Sequence, residues 1–124
     1  MRILVTGGRD WTDVDTIRNA LSIATLGLAW NKVTIVQGGA RGADAIAASL
    51  ANVLGMNVEE YPADWKQFGR AAGPIRNQQM VDTRPDLVLA FLQEGSKGTQ
   101  NCIDIARRAG LKISIIKEEN NGQS

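Results

Sequence analysis

Histidine is absent from this chain, and cysteine occurs once, as Cys102. Without histidine no Ser-His-Asp triad can be built, and the commonest general base and the commonest metal ligand are both missing, so no metal site is expected. A lone cysteine excludes an intrachain disulfide. Any catalysis must run on Asp, Glu, Arg, Lys, Tyr, Cys or a bound ion. Surplus charge is lacking too: 14 Lys and Arg against 13 Asp and Glu leave a net +1, which supplies no broad field for a nucleic-acid backbone or an anionic membrane. No apolar run approaches the roughly 18 residues of a membrane span. Met1-Arg2 leads straight into strand-like Ile3-Leu4-Val5 without a leader pattern, so a cytoplasmic protein with no membrane partner is expected. The length of 124 residues suits one compact domain, expected over residues 1–117, with a flexible tail over 118–124 where apolar periodicity is lost. The sequence leaves self-association into a homo-oligomer open.

What is present is a regular alternation. Short β-branched runs recur at Ile3 to Thr6, Val33 to Val36, Val58 to Tyr61, Leu87 to Phe91 and Ile113 to Ile116, and most are continuously apolar, as in strands buried on both faces of a parallel sheet. Helical spacing lies between them: Val14, Ile17, Leu21, Ala24 and Leu28 share one face, as do Ile46, Leu50, Val53 and Leu54. The pattern predicts an α/β fold, a Rossmann-like, doubly wound three-layer sandwich with a mostly parallel five-stranded sheet, whose ligands bind beyond the carboxyl ends of the strands. Each conspicuous polar or glycine-rich segment follows a strand: "TGGRDWTD", "QGGARGAD", "PADWKQFGRAAGPIRNQ" and "LQEGSKGTQN". All four are therefore expected on one rim.

In "QGGARGAD", Gly38, Gly39 and Gly42 permit conformations closed to other residues and allow a ligand to reach main-chain amides where the next helix starts, an arrangement that suits phosphate. Arg41 adds a planar fork, and Asp44 is placed to accept hydrogen bonds from a ribose or base or to complement the helix dipole. "TGGRDWTD" repeats the logic with Gly7, Gly8, Arg9 and Asp10, but it matches neither the dinucleotide fingerprint nor the P-loop, so no cofactor is expected. Trp11 reads equally as core or as a base-stacking wall, and Thr12 with Asp15 resembles an acidic capping box. "EGSKGTQN" offers Gly95, Ser96, Gly98 and Thr99 at a helix start, with Lys97 either charging the site or facing water. In the long third loop Pro74 suits a first helical turn and places Arg76 and Asn77 near that helix's start, where an arginine opposes the dipole and so calls for an acidic ligand or partner. Asp64, Trp65, Tyr61 and Arg70 line the approach, Asp64 being the best local carboxylate for general-base work.

"VTGGRDW", "QGGARGADAIA", "YPADWKQFGRAAGPIRNQQM" and "DLVLAF..EGSKGT" together resemble the small phage and bacterial proteins of the YspA-like (DUF2493) branch of the SLOG superfamily, over roughly residues 1 to 116. The resemblance implies a Rossmann-like fold and a nucleotide-type small-molecule partner. It also brings in two kinds of relative, the LOG phosphoribohydrolases and the DNA-processing protein DprA. LOG enzymes carry an R-K-x-x-M helix, matched here by Arg76-Asn77-Gln78-Gln79-Met80, and a P-G-G-x-G-T-x-x-E loop, matched by Glu94 to Cys102. Gly98-Thr99 is kept, but Cys102 stands where the enzyme's glutamate would be. The leading expectation is thus a sensor or sequestering protein for a nucleotide-derived ligand rather than an enzyme. One alternative is an N-glycosidic hydrolase, with Asp44, Asp64 or Arg76 as candidate catalytic residues. The other is DprA-like binding of single-stranded DNA, which the near-neutral charge makes the less favoured partner.

Overall fold

The strands form where the apolar runs lie. In a computed structural model, which describes residues 1–118, they are β1 (Arg2–Gly7), β2 (Thr34–Gln37), β3 (Asn57–Glu60), β4 (Leu87–Leu92) and β5 (Ile113–Lys117). All four pairings are parallel, in the order β3-β2-β1-β4-β5. The fold is the expected Rossmann-like α/β sandwich. Strand addition reverses direction at β1, so a crevice opens between the β1 and β4 ends, the switch point where ligands of such sheets sit.

Alternate residues of each strand serve opposite layers. Ile3 and Val5 of β1 pack with Ile35, Leu89 and Phe91 under α1 (Val14–Ala24) and α2 (Ala43–Leu54). Leu4, Val36 and Val88 face α4 (Ala72–Asp82) and α5 (Lys97–Arg108). Between β3 and α4 lie the single-turn α3 (Trp65–Phe68) and a 3-10 turn, Gly69–Ala71.

Three sequence expectations change. The buried stripe of α2 is Ala43, Ala47 and Ala51, not the larger apolar residues; Ile46, Leu50 and Leu54 are half-buried and Val53 is 85% exposed. Alanines win because the helix lies close to the sheet: a Cβ on Gly7 would sit 2.5 Å from the Ala43 Cβ. Next, α1 ends at Ala24, so Leu28 falls beyond it, and its N-cap is Asp13, which accepts from the Thr16 amide at 3.1 Å, not Thr12. Finally, Glu118 continues the last strand's pairing through its amide to the Leu92 carbonyl, 3.1 Å; the rest of the tail predicted over 118–124 lies outside the described residues. Among the described residues no helix is long and apolar enough to cross a membrane.

Candidate functional site

Because every strand runs the same way, the loops after β1, β2, β3 and β4 meet at one edge of the sheet, and they enclose two adjoining compartments. The first, about 400 Å³, is walled by Gly7, Gly8, Asp10, Asp44, Asn77, Gly95, Ser96, Gly98 and Thr99. The second, about 580 Å³, is walled by Gly38, Gly39, Arg41, Pro62, Ala63 and Trp65. Arg9, Ala40 and Arg76 line both. Sequence reasoning missed Thr6, Ala40, Gln93, Glu94 and Glu118 in the first compartment. Gln93 and Glu94 stood in a loop already singled out, whereas nothing in the sequence ties Glu118, beyond β5, to a cleft. Gln93 organises this corner: its Oε1 accepts from the Asp10 amide at 3.2 Å and its Nε2 donates to Glu118 at 2.7 Å.

The β2–α2 loop does not offer the open amide cradle expected of it. The Asp44 carboxylate folds back and accepts from the Gly38 amide at 3.1 Å and the Ala40 amide at 3.4 Å, while the Gly39 amide donates to the Gln37 side chain. The protein's own polar groups fill the nest. Burial pushes the Asp44 carboxyl up to about 6, against the opposing pull of Arg76 and the two amides. The glycines answer to neighbouring chain: at Gly42, with φ +79°, a Cβ would lie 2.3 Å from the Gly8 carbonyl oxygen, and at Gly38 it would lie 2.2 Å from Arg76 Nη1. Gly42 lines neither compartment; it lets α2 dock on the β1 loop, with the Ala43 amide donating to the Gly8 carbonyl at 3.1 Å.

Arg76 projects from α4 and is anchored on three sides. Its Nη1 donates to the Gly38 carbonyl at 2.7 Å and the Tyr61 carbonyl at 3.5 Å, and its Nε to Asn77 Oδ1 at 2.9 Å. Buried Asn77 then donates through Nδ2 to Asn101 Oδ1 at 3.0 Å and the Gly98 carbonyl at 3.3 Å. With both ends of its amide engaged, Asn77 is a positioning residue that couples Arg76 to the start of α5. The ion pairs among the described residues are Arg2–Glu59, Arg18–Asp15 and Arg41–Asp10, the last at 3.2 Å, and none involves Arg76 or Arg9.

The β4–α5 loop differs. Ser96 sits at the N-cap of α5 without bonding its first-turn amides; its hydroxyl pairs with that of buried Thr99 at 2.7 Å. Gly98 lines the first compartment, and nothing lies within 4 Å of the place a Cβ would take.

Three more expected residues fall elsewhere. Trp11 is core: 3% exposed, edge-on to Phe91 at 5.5 Å between ring centroids, with its Nε1 donating to the Asp13 carbonyl at 3.0 Å. The aromatic that lines the second compartment is Trp65, 49% exposed, with the Arg9 guanidinium 5.8 Å from its ring centroid. Asp64 is the N-cap of α3, accepting from the Gln67 amide at 3.1 Å, so its carboxylate serves a helix and lines neither compartment. Arg70 is exposed on the 3-10 turn and also lines neither. Cys102 is buried in the α4–α5 layer, where desolvation pushes its thiol up to about 11, the opposite of an activated nucleophile.

The model of the YspA, cpYpsA-related SLOG family matches residues 1–68 of this chain. The gene 61 protein of Mycobacterium phage D29 is 40% identical over 117 residues, covering 90% of this chain and 93% of the phage protein. Among solved structures, DNA processing protein A (DprA) from Helicobacter pylori, described for its single-stranded DNA binding mode, superposes with a TM-score of 0.69 at 19% identity, covering 98% of this chain and 67% of its own. DprA from Streptococcus pneumoniae gives 0.66 at 19% identity, over 97% of this chain and 51% of that one. The protein TM1055 gives 0.64 at 16% identity, over 90% and 71%. At these identities the structural likenesses show the fold alone.

Proposed function

Since the chain belongs to the YspA-related SLOG family, we propose that it binds a nucleotide or nucleotide-derived small molecule in the rim cleft, as a sensor or sequestering protein built on a single domain over residues 1–117. One observation carries the reading. Two arginines, Arg9 and Arg76, line both compartments at the switch point of a parallel sheet, and neither has a carboxylate within ion-pairing distance among the described residues. Guanidinium groups that face a concave site and are not neutralised by the chain's own carboxylates present planar forks that suit an anionic ligand. The ligand reaches the cleft from the open edge of the sheet, where Trp65 offers an exposed aromatic face. The test is mass spectrometry of small molecules released on denaturing the purified protein, followed by calorimetry with nucleosides and their mono- and diphosphates. Micromolar binding that depends on the phosphoryl group supports the proposal; no released compound and no nucleotide binding would sink it.

Two other readings each have one observation behind them. Exposed Trp65 and Phe68 flank Lys66 and precede Arg70, an aromatic-basic alternation that suits single-stranded nucleic acid. A gel shift that weakens steeply with salt would favour it. Hydrolysis rests on Asp44, a cleft carboxyl with raised proton affinity near Arg76. Release of free base from nucleoside monophosphates, abolished in Asp44→Asn, would favour that reading.

A further inference from the structure

The outer surface of α2 is not that of an ordinary surface helix. Its 12 residues include one charged group, Asp44, and that carboxylate is buried. The alanine stripe already serves the core, yet Ile46, Leu50 and Val53 recur at i, i+4 and i+7 on the flank turned toward α1, and Val53 is 85% exposed. With Val14 and Arg18 of α1 they line an open groove between the two helices. A helix apolar on both its inner and outer sides is normally covered. We propose that α2 and this groove form a homodimer interface, covered by the same face of a second copy of the chain about a two-fold axis close to Ser49.

The face suits its own copy. A two-fold interface sets identical patches against each other, so any charge at its centre would meet its like; the outer side of α2 carries none. Its flank on α1 carries one charge of each sign, Asp15 and Arg18, both exposed, so two flanks meet without net repulsion. The spacing is symmetric as well. Ala45 and Val53 each lie one helical step of four from Ser49, and all three are exposed. In an antiparallel pair centred on Ser49, Val53 of either copy therefore meets the small Ala45 of the other, and the small residues allow the helices to approach closely. A stable pair buries roughly 800 Å² per partner, more than one helix about 18 Å long supplies, so α1 has to contribute Val14 and the aliphatic stem of Arg18. The rim cleft lies at the start of α2, where Asp44 lines it. Antiparallel pairing sends the two clefts to opposite ends of the dimer and leaves both open.

Sedimentation velocity over about 1 to 100 µM tests the interface, since association depends on protomer concentration. The wild type is expected to sediment with twice the mass of one chain. Val53→Glu, at a position too exposed to disturb the core, should raise the dimer dissociation constant by at least about tenfold, because it desolvates a carboxylate in the interface. Ser49→Cys tests the axis independently: under oxidation it should link two chains through a disulfide, whereas Arg107→Cys, exposed on the opposite layer, should not, and the native Cys102 is buried. A wild type that keeps the mass of one chain up to about 100 µM overturns the inference. So does a dimer that Val53→Glu leaves unchanged. Dissociation by Val53→Glu without cross-linking in Ser49→Cys would keep the face and overturn the antiparallel arrangement. None of these outcomes bears on the nucleotide reading, which is tested by ligand binding.

Discussion

Two loops of similar composition, Gln37–Asp44 after β2 and Glu94–Thr99 after β4, have opposite structural fates. Both are rich in glycine, both carry one basic residue, and both lead into a helix on the same rim. In the first, the space freed by the missing side chains is taken by the protein: the β1 loop lies against Gly42, Arg76 against Gly38, and Asp44 occupies the amides. In the second, Gly98 faces unfilled cleft and Ser96 leaves the helix start uncapped. Glycine richness permits close approach, and whether another part of the chain takes the space is a tertiary fact.

The sharpest way to break this contrast is to add one methyl group to each loop. Gly42→Ala introduces a Cβ against the Gly8 carbonyl at a φ of +79°, and should cost about 3 kcal/mol or more by denaturant unfolding, if the variant folds at all. Gly98→Ala, where nothing stands in the way, should leave stability within about 1 kcal/mol of wild type, on the favourable side, because alanine is the better helix former. Equal destabilisation in the two variants would erase the distinction.

Arg76 bridges the filled and open sides. Arg76→Ala should weaken binding of a phosphorylated ligand by about 1.5 to 3 kcal/mol in calorimetry. Arg76→Lys should also bind less well, because a point charge cannot donate to the Gly38 carbonyl and Asn77 and still present a fork. Unchanged affinity in both variants would reduce Arg76 to a strut of the first loop.

Asp44 sharpens the comparison from inside the filled loop. Asp44→Ala strips partners from the Gly38 and Ala40 amides and should cost about 1 to 3 kcal/mol, whereas Asp44→Asn keeps an acceptor and should cost less. The pH dependence has a definite sign. The folded carboxyl lies at about 6, above its ordinary 3.8, so the folded state holds the proton more tightly. The stabilisation linked to Asp44 is complete below about 3.8 and disappears as pH rises through about 6. The Asp44 contribution to stability should fall with pH across that window, seen as the difference in slope between the wild type and Asp44→Asn, in which that component should vanish.

The smallest effect concerns the start of α5. With its thiol buried and pushed up to about 11, Cys102 should resist alkylation in the native protein at pH 8 and react readily once unfolded. Rapid native-state labelling would mean that the open loop gives access to the layer beneath it.

Much of this molecule was legible in one dimension. The β-branched runs marked all five strands to within a residue or so, most sharply the central β1, β2 and β4, because strands buried on both faces leave little choice of residue type, and alternation with helical spacing implied a parallel sheet and a common rim. The rim in turn implied that Gly7, Arg9, Asp44, Arg76, Gly98 and Thr99 would meet at one cleft. Which groups face that cleft was decided by packing. Trp11 went inward because Phe91 and the Asp13 carbonyl satisfied both its ring and its N–H, and Asp64 turned to cap a single-turn helix. Asp44 filled a nest that composition alone presented as vacant, and Glu118 entered the site from the far end of β5 through Gln93. Strand propensity and periodicity are local properties that a sequence carries by itself. The occupant of a glycine-lined space depends on which distant backbone or side chain arrives there, and that is settled only when the layers close on one another.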